Sequence, residues 1–369
     1  MKESKYKICT FCIMDTSDED IHFDSNGRCD HCKNFEQTLK SPRYRKEQSI
    51  QKLNSLIKTV KNPQKKYDCL VGISGGVDSC YTAYLCKKWG LKPLIIHMDN
   101  GWNSDIAVKN VKKVVDKLQL DYVSYVLDWR EFREIQLGFI KSGIVDIEIP
   151  TDIGIAASLY KTAKKYKIKY IVSGGNLSGE GILPLTWGYH VLKDKKLYKH
   201  IVKTYSSQKL KKLPVVGLFD EIYYKFIRGI KTVYPLNIIE YNKDEAREFL
   251  KKEFDWQDYG GKHHESKITG FWQSYVMPTK YNMDYRRATY SSQIVSGQLT
   301  RKEALNKIKD PACDENSIQS DKDYISKKYD ISKSEFDAML NTPAKTYKDF
   351  PNDKKRIERF YRLYKKIFN

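Results

Sequence analysis

Three stretches of this chain concentrate side chains that can do chemistry. The first is a pair of knuckles, Cys9-x-x-Cys12 and Cys29-x-x-Cys32, with sixteen residues between them. That spacing suits four thiolates on one tetrahedral ion. It predicts a structural Zn2+ with no open position, held by Cys9, Cys12, Cys29 and Cys32. So short a segment has little core, so the metal would supply most of its folding energy. The second is Leu70-Val71-Gly72-Ile73-Ser74-Gly75-Gly76-Val77-Asp78-Ser79. An apolar run, a glycine turn and a helical pattern form a phosphate site, because loop and first-turn N–H groups point at an anion. Gly75 and Gly76 permit backbone angles closed to other residues. Ser74 and Ser79 add hydroxyl donors, and Asp78 is placed to orient the loop or approach a metal. The loop is not of the G-x-x-x-x-G-K-[ST] type, since no lysine follows the glycines. The third is Tyr259-Gly260-Gly261-Lys262-His263-His264-Glu265-Ser266. Lys262 can reach a phosphate, and His263 and His264 can move protons near neutral pH. Glu265 can bind ammonium, act as a base, or hold a metal with a phosphate. A helix start capped by Ser266 also fits these residues. Downstream, Arg286 and Arg287 offer two guanidiniums for a phosphate or carboxylate, or form a surface pair.

These groups need a scaffold. Apolar runs at 67–73, 94–99, 122–127 and 170–173 read as strands, and helical patterns separate them. Strand–helix alternation of this length predicts an α/β fold with a doubly wound parallel sheet. Ligands in such sheets bind beyond the carboxyl ends of the strands. Three of those ends are polar: Ser74-Gly75-Gly76, Asp99-Asn100-Gly101 and Gly174-Gly175-Asn176. The chain divides into a zinc-binding module (1–40), a helical connector (41–66), a nucleotide-binding domain (67–240) and a helical C-terminal region (241–369) that completes the site. Ser41-Pro42 is expected to start the connector helix. Residues 177–232 read as an insertion or lid, and the last four helices as structural or partner-facing.

The 369 residues carry 66 Lys and Arg against 46 Asp and Glu, a net charge of +20. Such a field suits nucleic acid, a membrane surface or anionic small molecules. It is densest at 193–212 and 345–366. No apolar run is long enough to span a membrane. The N-terminus lacks the apolar core of a signal peptide, and eight cysteines with no regular framework fit a reducing compartment, so a cytoplasmic protein is expected.

Ser74-Gly75-Gly76-Val77-Asp78-Ser79 resembles the pyrophosphate loop of the PP-loop ATP pyrophosphatases, which adenylate a substrate oxygen and release pyrophosphate. The resemblance implies ATP and Mg2+ as cofactors, with Ser74, Gly75, Gly76, Asp78 and Ser79 on the phosphates. It also implies adenosine at His97, Met98 and Asp99, and a closing loop at Gly174, Gly175, Asn176 and Glu180. Together with the four-cysteine module, Tyr259–Ser266 and Asp284–Arg287, the pattern resembles the N-acetyl sugar amidotransferases of bacterial surface-polysaccharide and pseudaminic acid pathways, over nearly the whole chain. By that resemblance, an N-acetyl group on a sugar, free or nucleotide-linked, becomes an acetamidino group. Lys262 would stabilise departing pyrophosphate, and His263, His264 or Glu265 would deprotonate incoming ammonium. Glu180, Arg286 and Arg287 would contact the sugar.

Residue 2 is lysine, and no cysteine sits in a Gly-x-Cys-x-Gly elbow. The chain is therefore not expected to hydrolyse glutamine. The resemblance implies a separate glutaminase and a cyclase-like barrel that delivers ammonia, with no nucleic acid bound. A tRNA-modifying enzyme of the thiolase type is the alternative, favoured by the charge and the zinc module. A nucleotide-binding partner without catalysis is a third class.

Overall fold

The computed structural model describes residues 6–41, 44, 49–188, 194–207, 213–261 and 264–368. Lys262 and His263 lie outside them.

The N-terminal module ends in α1 (Asp30–Lys40) and is followed by α2 (Ser49–Val60). Ser41 does not open the connector helix, as its sequence suggested. It closes α1, its N–H donating to the Thr38 carbonyl. Pro42 lies outside the described residues.

The central domain alternates as expected. It runs β1 (Cys69–Gly72), α3 (Val77–Lys88), β2 (Pro93–Asp99), α4 (Asp105–Leu118), β3 (Tyr122–Val126), α5 (Trp129–Ser142), α6 (Ile149–Lys165) and β4 (Tyr170–Val172). After α7 (Leu177–Glu180), α8 (Lys195–Tyr205) and α9 (Leu218–Ile222), β5 (Lys231–Val233) completes the sheet. All five strands are parallel, in the order β3-β2-β1-β4-β5. The reversal of order falls at β1, so its carboxyl end opens a crevice between the β2 and β4 ends. Alternation along the strands assigns the two layers. Leu70, Leu94, Ile96 and Ile171 pack with Ala157, Tyr160 and Ala163 of α6. Val71, Ile73 and Ile95 face the other way, onto α3 and α4.

The C-terminal region comprises α10 (Lys243–Phe254), α11 (Lys267–Phe271), α12 (Met277–Tyr281), α13 (Tyr285–Val295), α14 (Arg301–Lys307), α15 (Glu315–Tyr329), α16 (Lys333–Leu340) and α17 (Lys354–Phe368). It shares its core with the central domain. Tyr329 and Phe336 are buried with Trp102, Phe132 and Phe139. Trp102 Nε1 and Tyr329 Oη both donate to Gln136 Oε1, at 2.6 and 2.9 Å. α8 is not a lid: Leu197, Tyr198 and Ile201 are buried against α5, and no α8 residue lines the cavity described below. Its lysines form the outer face of a packed amphipathic helix.

Candidate active site

The loop after β1 is built for an anion. Gly76 is the N-cap of α3, and Ser79 Oγ accepts from Ser74 N at 3.1 Å. Gly75 has φ of +91°, and a methyl there would lie 2.4 Å from the Ala107 carbonyl oxygen of α4. Its own carbonyl accepts from the buried Trp256 indole at 2.9 Å. A side chain at Gly174 would lie 2.8 Å from the Asp78 carbonyl, so the β4 loop crosses directly over the start of α3.

A cavity of about 670 Å³ opens beyond these strand ends. Ser74, Gly76, Asp78 and Ser79 line it from the first loop, His97 and Met98 from β2, and Gly174, Gly175 and Glu180 from the β4 side. His97 Nδ1 donates to the Ile73 carbonyl at 2.8 Å, and Nε2 accepts from Asn103 at 3.1 Å, which fixes the ring's tautomer. The C-terminal region closes the cavity with Lys243, Tyr259, Glu265, Thr269, Gln273 and Tyr285. A short backbone bridge places Glu265. Asn103 pairs antiparallel with Ser266, Ser104 N donates to Glu265 O at 2.8 Å, and Lys267 N donates to Trp102 O at 2.9 Å. Glu265 Oε1 and Tyr259 Oη consequently lie 3.6 and 2.9 Å from where a methyl on Gly76 would stand. Ser266 caps α11, accepting from Thr269 N. The helix-start reading of this stretch holds, and of its chemical candidates Glu265 faces the loop while Lys262 and His263 lie outside the described residues.

Asp78 accepts from Tyr241 Oη and lies 3.6 Å from Lys243 Nζ. Burial and then Asp78 push the Tyr241 hydroxyl up, keeping it a donor. Burial and then Glu265 do the same at Tyr259. His264 lines a second cavity of about 320 Å³, which shares Lys243, Gln273, Tyr285 and Thr289 with the first. Burial lowers its pKa, so the ring is neutral near pH 7.

Besides Gly75 and His264, four sequence-derived candidates do not line the first cavity. Asp99 Oδ1 accepts from Gly101 N and Asn103 Nδ2, at 2.8 and 3.2 Å, and the residue does not line the cavity. It builds the turn that Asp-Asn-Gly encodes. Asn176 caps α7 rather than lining the cavity. Arg286 donates to both carboxylate oxygens of Asp284 and to the Asp310 carbonyl, and lines the second cavity. Arg287 lines neither cavity. It pairs with buried Asp15 at 3.0 Å and donates to the Ile13 carbonyl at 3.1 Å. Its guanidinium braces the cysteine module from α13.

Sequence reading missed Lys243, Tyr241 and a group of acids at the start of α6, and gave Tyr259 no role of its own. Asn242 marked Lys243 as a helix start but said nothing of what it faces. The acids left a trace: Asp146, Glu148 and Asp152 interrupt a run of isoleucines, where a charge is costly.

In the N-terminal module the four cysteines are buried and unpaired, and their sulfurs all lie within 4.8 Å of one another. Cys9–Cys32 is 3.8 Å, and Cys12–Cys29 and Cys29–Cys32 are each 3.6 Å. Bonds of about 2.3 Å to a single tetrahedral ion require edges of about 3.8 Å, so the set fits one metal ion. Backbone N–H groups of Cys12 and Cys29 point at Cys9 Sγ, at 3.4 and 3.2 Å, as suits a thiolate. Arg301 of α14 donates to the Cys9 and Cys12 carbonyls. His31 is not a ligand candidate, since its Nε2 lies 2.6 Å from Asp18.

Comparison with known proteins follows this division. Residues 265–367 match the family described as LPS biosynthesis protein WbpG-like, C-terminal domain. Residues 49–136 match the NAD synthase family. The chain carries a WbpG-like C-terminal domain behind a PP-loop domain. An uncharacterised protein of Methanocaldococcus jannaschii is 22% identical over 59% of this chain and 73% of its own length. A tRNA-specific 2-thiouridylase of Clostridioides difficile is 24% identical over 58% of this chain; the match spans only 63% of that enzyme. The ammonia-dependent NAD synthetase of Campylobacter jejuni aligns with 73% of this chain and all of its own, at 20% identity and a TM-score of 0.30. Among the described residues, no helix is long and apolar enough to cross a membrane.

Proposed function

We propose that this WbpG-like chain is an ATP-dependent N-acetyl sugar amidotransferase of bacterial surface-polysaccharide or nonulosonic acid biosynthesis. One observation carries the reading: Glu265, the first residue of the WbpG-like match, lies over the Gly76 loop in one cavity with Asp78 and Lys243. An amide carbonyl is a poor electrophile, and its oxygen is a poor leaving group. Transfer of AMP to that oxygen solves both problems. The N–H groups of the Ser74–Ser79 loop and the α3 N-terminus would hold the phosphates, with Lys243 adding charge. Asp78 lines the cavity at the loop and offers a hard oxygen of the kind Mg2+ takes; such an ion would neutralise phosphate charge. His97 and Met98 would bound the adenosine, and Glu180 the sugar. Nitrogen then displaces AMP, with Glu265 a base at the loop.

In the N-terminal module the sulfur spacing favours a single Zn2+ over a multi-iron cluster. Ammonia would come from a separate glutaminase through a cyclase-like barrel, in the cytoplasm. The likeness to a thiouridylase raises tRNA thiolation. Against it, Cys69, Cys80 and Cys86 are fully buried in the β1–α3 core, and no described cysteine lines the cavity. Burial pushes the Cys80 thiol up to about 12, which suppresses its thiolate.

Mass spectrometry of N-acetyl sugars incubated with ATP, Mg2+ and ammonium tests the proposal. Replacing O by NH lowers the mass by about one unit and adds a basic group that is cationic at neutral pH. Pyrophosphate should appear in equal amount. Release of orthophosphate, or pyrophosphate without a modified sugar across the panel, would overturn the proposal.

A further inference from the structure

The end of the sheet opposite the candidate active site is strongly basic. A surface pocket of about 320 Å³ lies among Lys65 ahead of β1, Lys164 and Lys167 at the end of α6, Lys169 ahead of β4 and Arg228 ahead of β5. Among the described residues, no carboxylate lines it or pairs with any of these five cations. Lys65 Nζ donates to the Lys167 carbonyl at 2.9 Å, and Lys169 Nζ to the Arg228 carbonyl. An ammonium has three donors, so both retain donors for a ligand. The last carbonyls of α6 attract cations, but a helix end is equivalent to only about half a charge. Most of the charge at this pocket is therefore uncompensated, and an anion seated there would relieve the repulsion.

Exposed apolar side chains stand beside the pocket. Lys164 lies 5.3 Å from the centre of the Tyr223 ring. Tyr223 opens a π-helical turn (Tyr223–Ile227) that continues α9. Phe219 and Ile227, four residues before and after it, are 81% and 74% exposed. Large apolar groups gathered at a charged surface mark a contact site. Phe226 of the same turn meets Phe360, their ring centroids 6.3 Å apart, so α17 runs alongside. It adds Arg359, Arg362 and Leu363, all exposed. Nearby acids are engaged by other cations, Asp220 by Lys195 and Glu358 by Lys354. Cations around protruding apolar groups complement an anionic membrane, whose phosphates take the charges while the apolar groups enter the headgroup boundary. Single-stranded nucleic acid is held by aromatic platforms, which Ile227 and Leu363 do not supply. A free phosphate has no use for apolar neighbours.

We infer that this end of the sheet docks on an anionic membrane surface, with lipid phosphates at the cationic pocket and Phe219 and Ile227 in the interface. The inference goes beyond the amidotransferase reading and does not depend on it. Docking leaves the active site open. α6 reaches the catalytic cavity at Thr151 and the basic pocket at Lys164, about 20 Å apart at 1.5 Å per residue. Co-sedimentation of the full chain with vesicles tests the inference. Vesicles of equimolar phosphatidylcholine and phosphatidylglycerol should bind the protein, and vesicles of phosphatidylcholine alone should not. Added potassium chloride should weaken the binding, because the charges are exposed. Lys167→Asn combined with Arg228→Gln should weaken it about 20-fold, near fivefold for each charge; asparagine suits the φ of +56° at residue 167. Phe219→Ser combined with Ile227→Ser should weaken it about tenfold or more. Both double variants should unfold near the wild-type temperature and bind ATP as wild type does, since neither touches the core or the catalytic cavity. Equal sedimentation with the two kinds of vesicle would overturn the proposal. So would undiminished binding by the charge variant, or binding of single-stranded RNA or inorganic phosphate without binding of vesicles.

Discussion

Glu148→Gln should change how stability depends on pH. Glu148 ionises at 4.5 when unfolded and at about 7 in the folded chain, because burial and Asp152 both oppose its charge. Between those values the folded chain holds a proton that the unfolded chain has lost. The stability this confers is complete below 4.5 and is lost as pH rises through about 7. At about 1.4 kcal/mol per pH unit, the interval amounts to about 3 kcal/mol. Glutamine keeps the shape and cannot ionise, so the variant escapes that loss. The unfolding free energy of the variant minus that of wild type should therefore rise by up to about 3 kcal/mol between pH 4.5 and pH 8. Urea unfolding followed by tryptophan fluorescence, in buffer free of ammonium and amidines, measures this difference at each pH. The slope m should match in the two proteins. Curves that stay parallel within about 0.5 kcal/mol across the range would refute the burial argument for Glu148.

Purified protein should carry stoichiometric zinc by elemental analysis; Cys12→Ser should abolish it, and cobalt substitution should give tetrahedral thiolate absorption. Arg287→Ala should destabilise the chain by about 2–3 kcal/mol, because buried Asp15 loses its cation while keeping hydrogen bonds from Tyr6 and Ser17, with the KM for ATP unchanged in steady-state assays of pyrophosphate release. Lys243→Ala should lower pyrophosphate release at least about 100-fold while leaving thermal unfolding close to wild type. Gly75→Ala should lose ATP binding by calorimetry and unfold at lower temperature, since the methyl meets the Ala107 carbonyl at 2.4 Å in a φ of +91°.

Much of the fold was legible because its signals are local. Apolar runs marked β1 to β4, and Ser104 and Asn242 are of residue types that favour the N-cap positions they take at α4 and α10. The cysteine spacing suffices to predict a four-thiolate cluster, since each knuckle places its own two sulfurs. β5 was harder: three residues with no buried position are too short and too polar to stand out. The start of the connector helix was misplaced because a serine ending one helix looks the same as a serine opening the next. Arg286 and Arg287 show the same limit in the candidate site. Neighbours in sequence on a helix point in different directions, and one ends on Asp310 while the other ends on Asp15.

By itself, then, the sequence determined the parallel α/β order, the anion loop at Ser74–Ser79 and the metal-binding character of the first module. All three depend on residue types within a few positions of one another, where backbone geometry is nearly decided by composition. The fold supplied what distance along the chain conceals. It set Glu265 over Gly76, Lys243 beside Asp78, and the buried Glu148 among other acids on the cavity wall. Those relations arise where the C-terminal region packs α10 against α3 and α4, and its later helices against Trp102 and α5. Hydrophobic burial selects that packing, and the polar chemistry is carried into register by it.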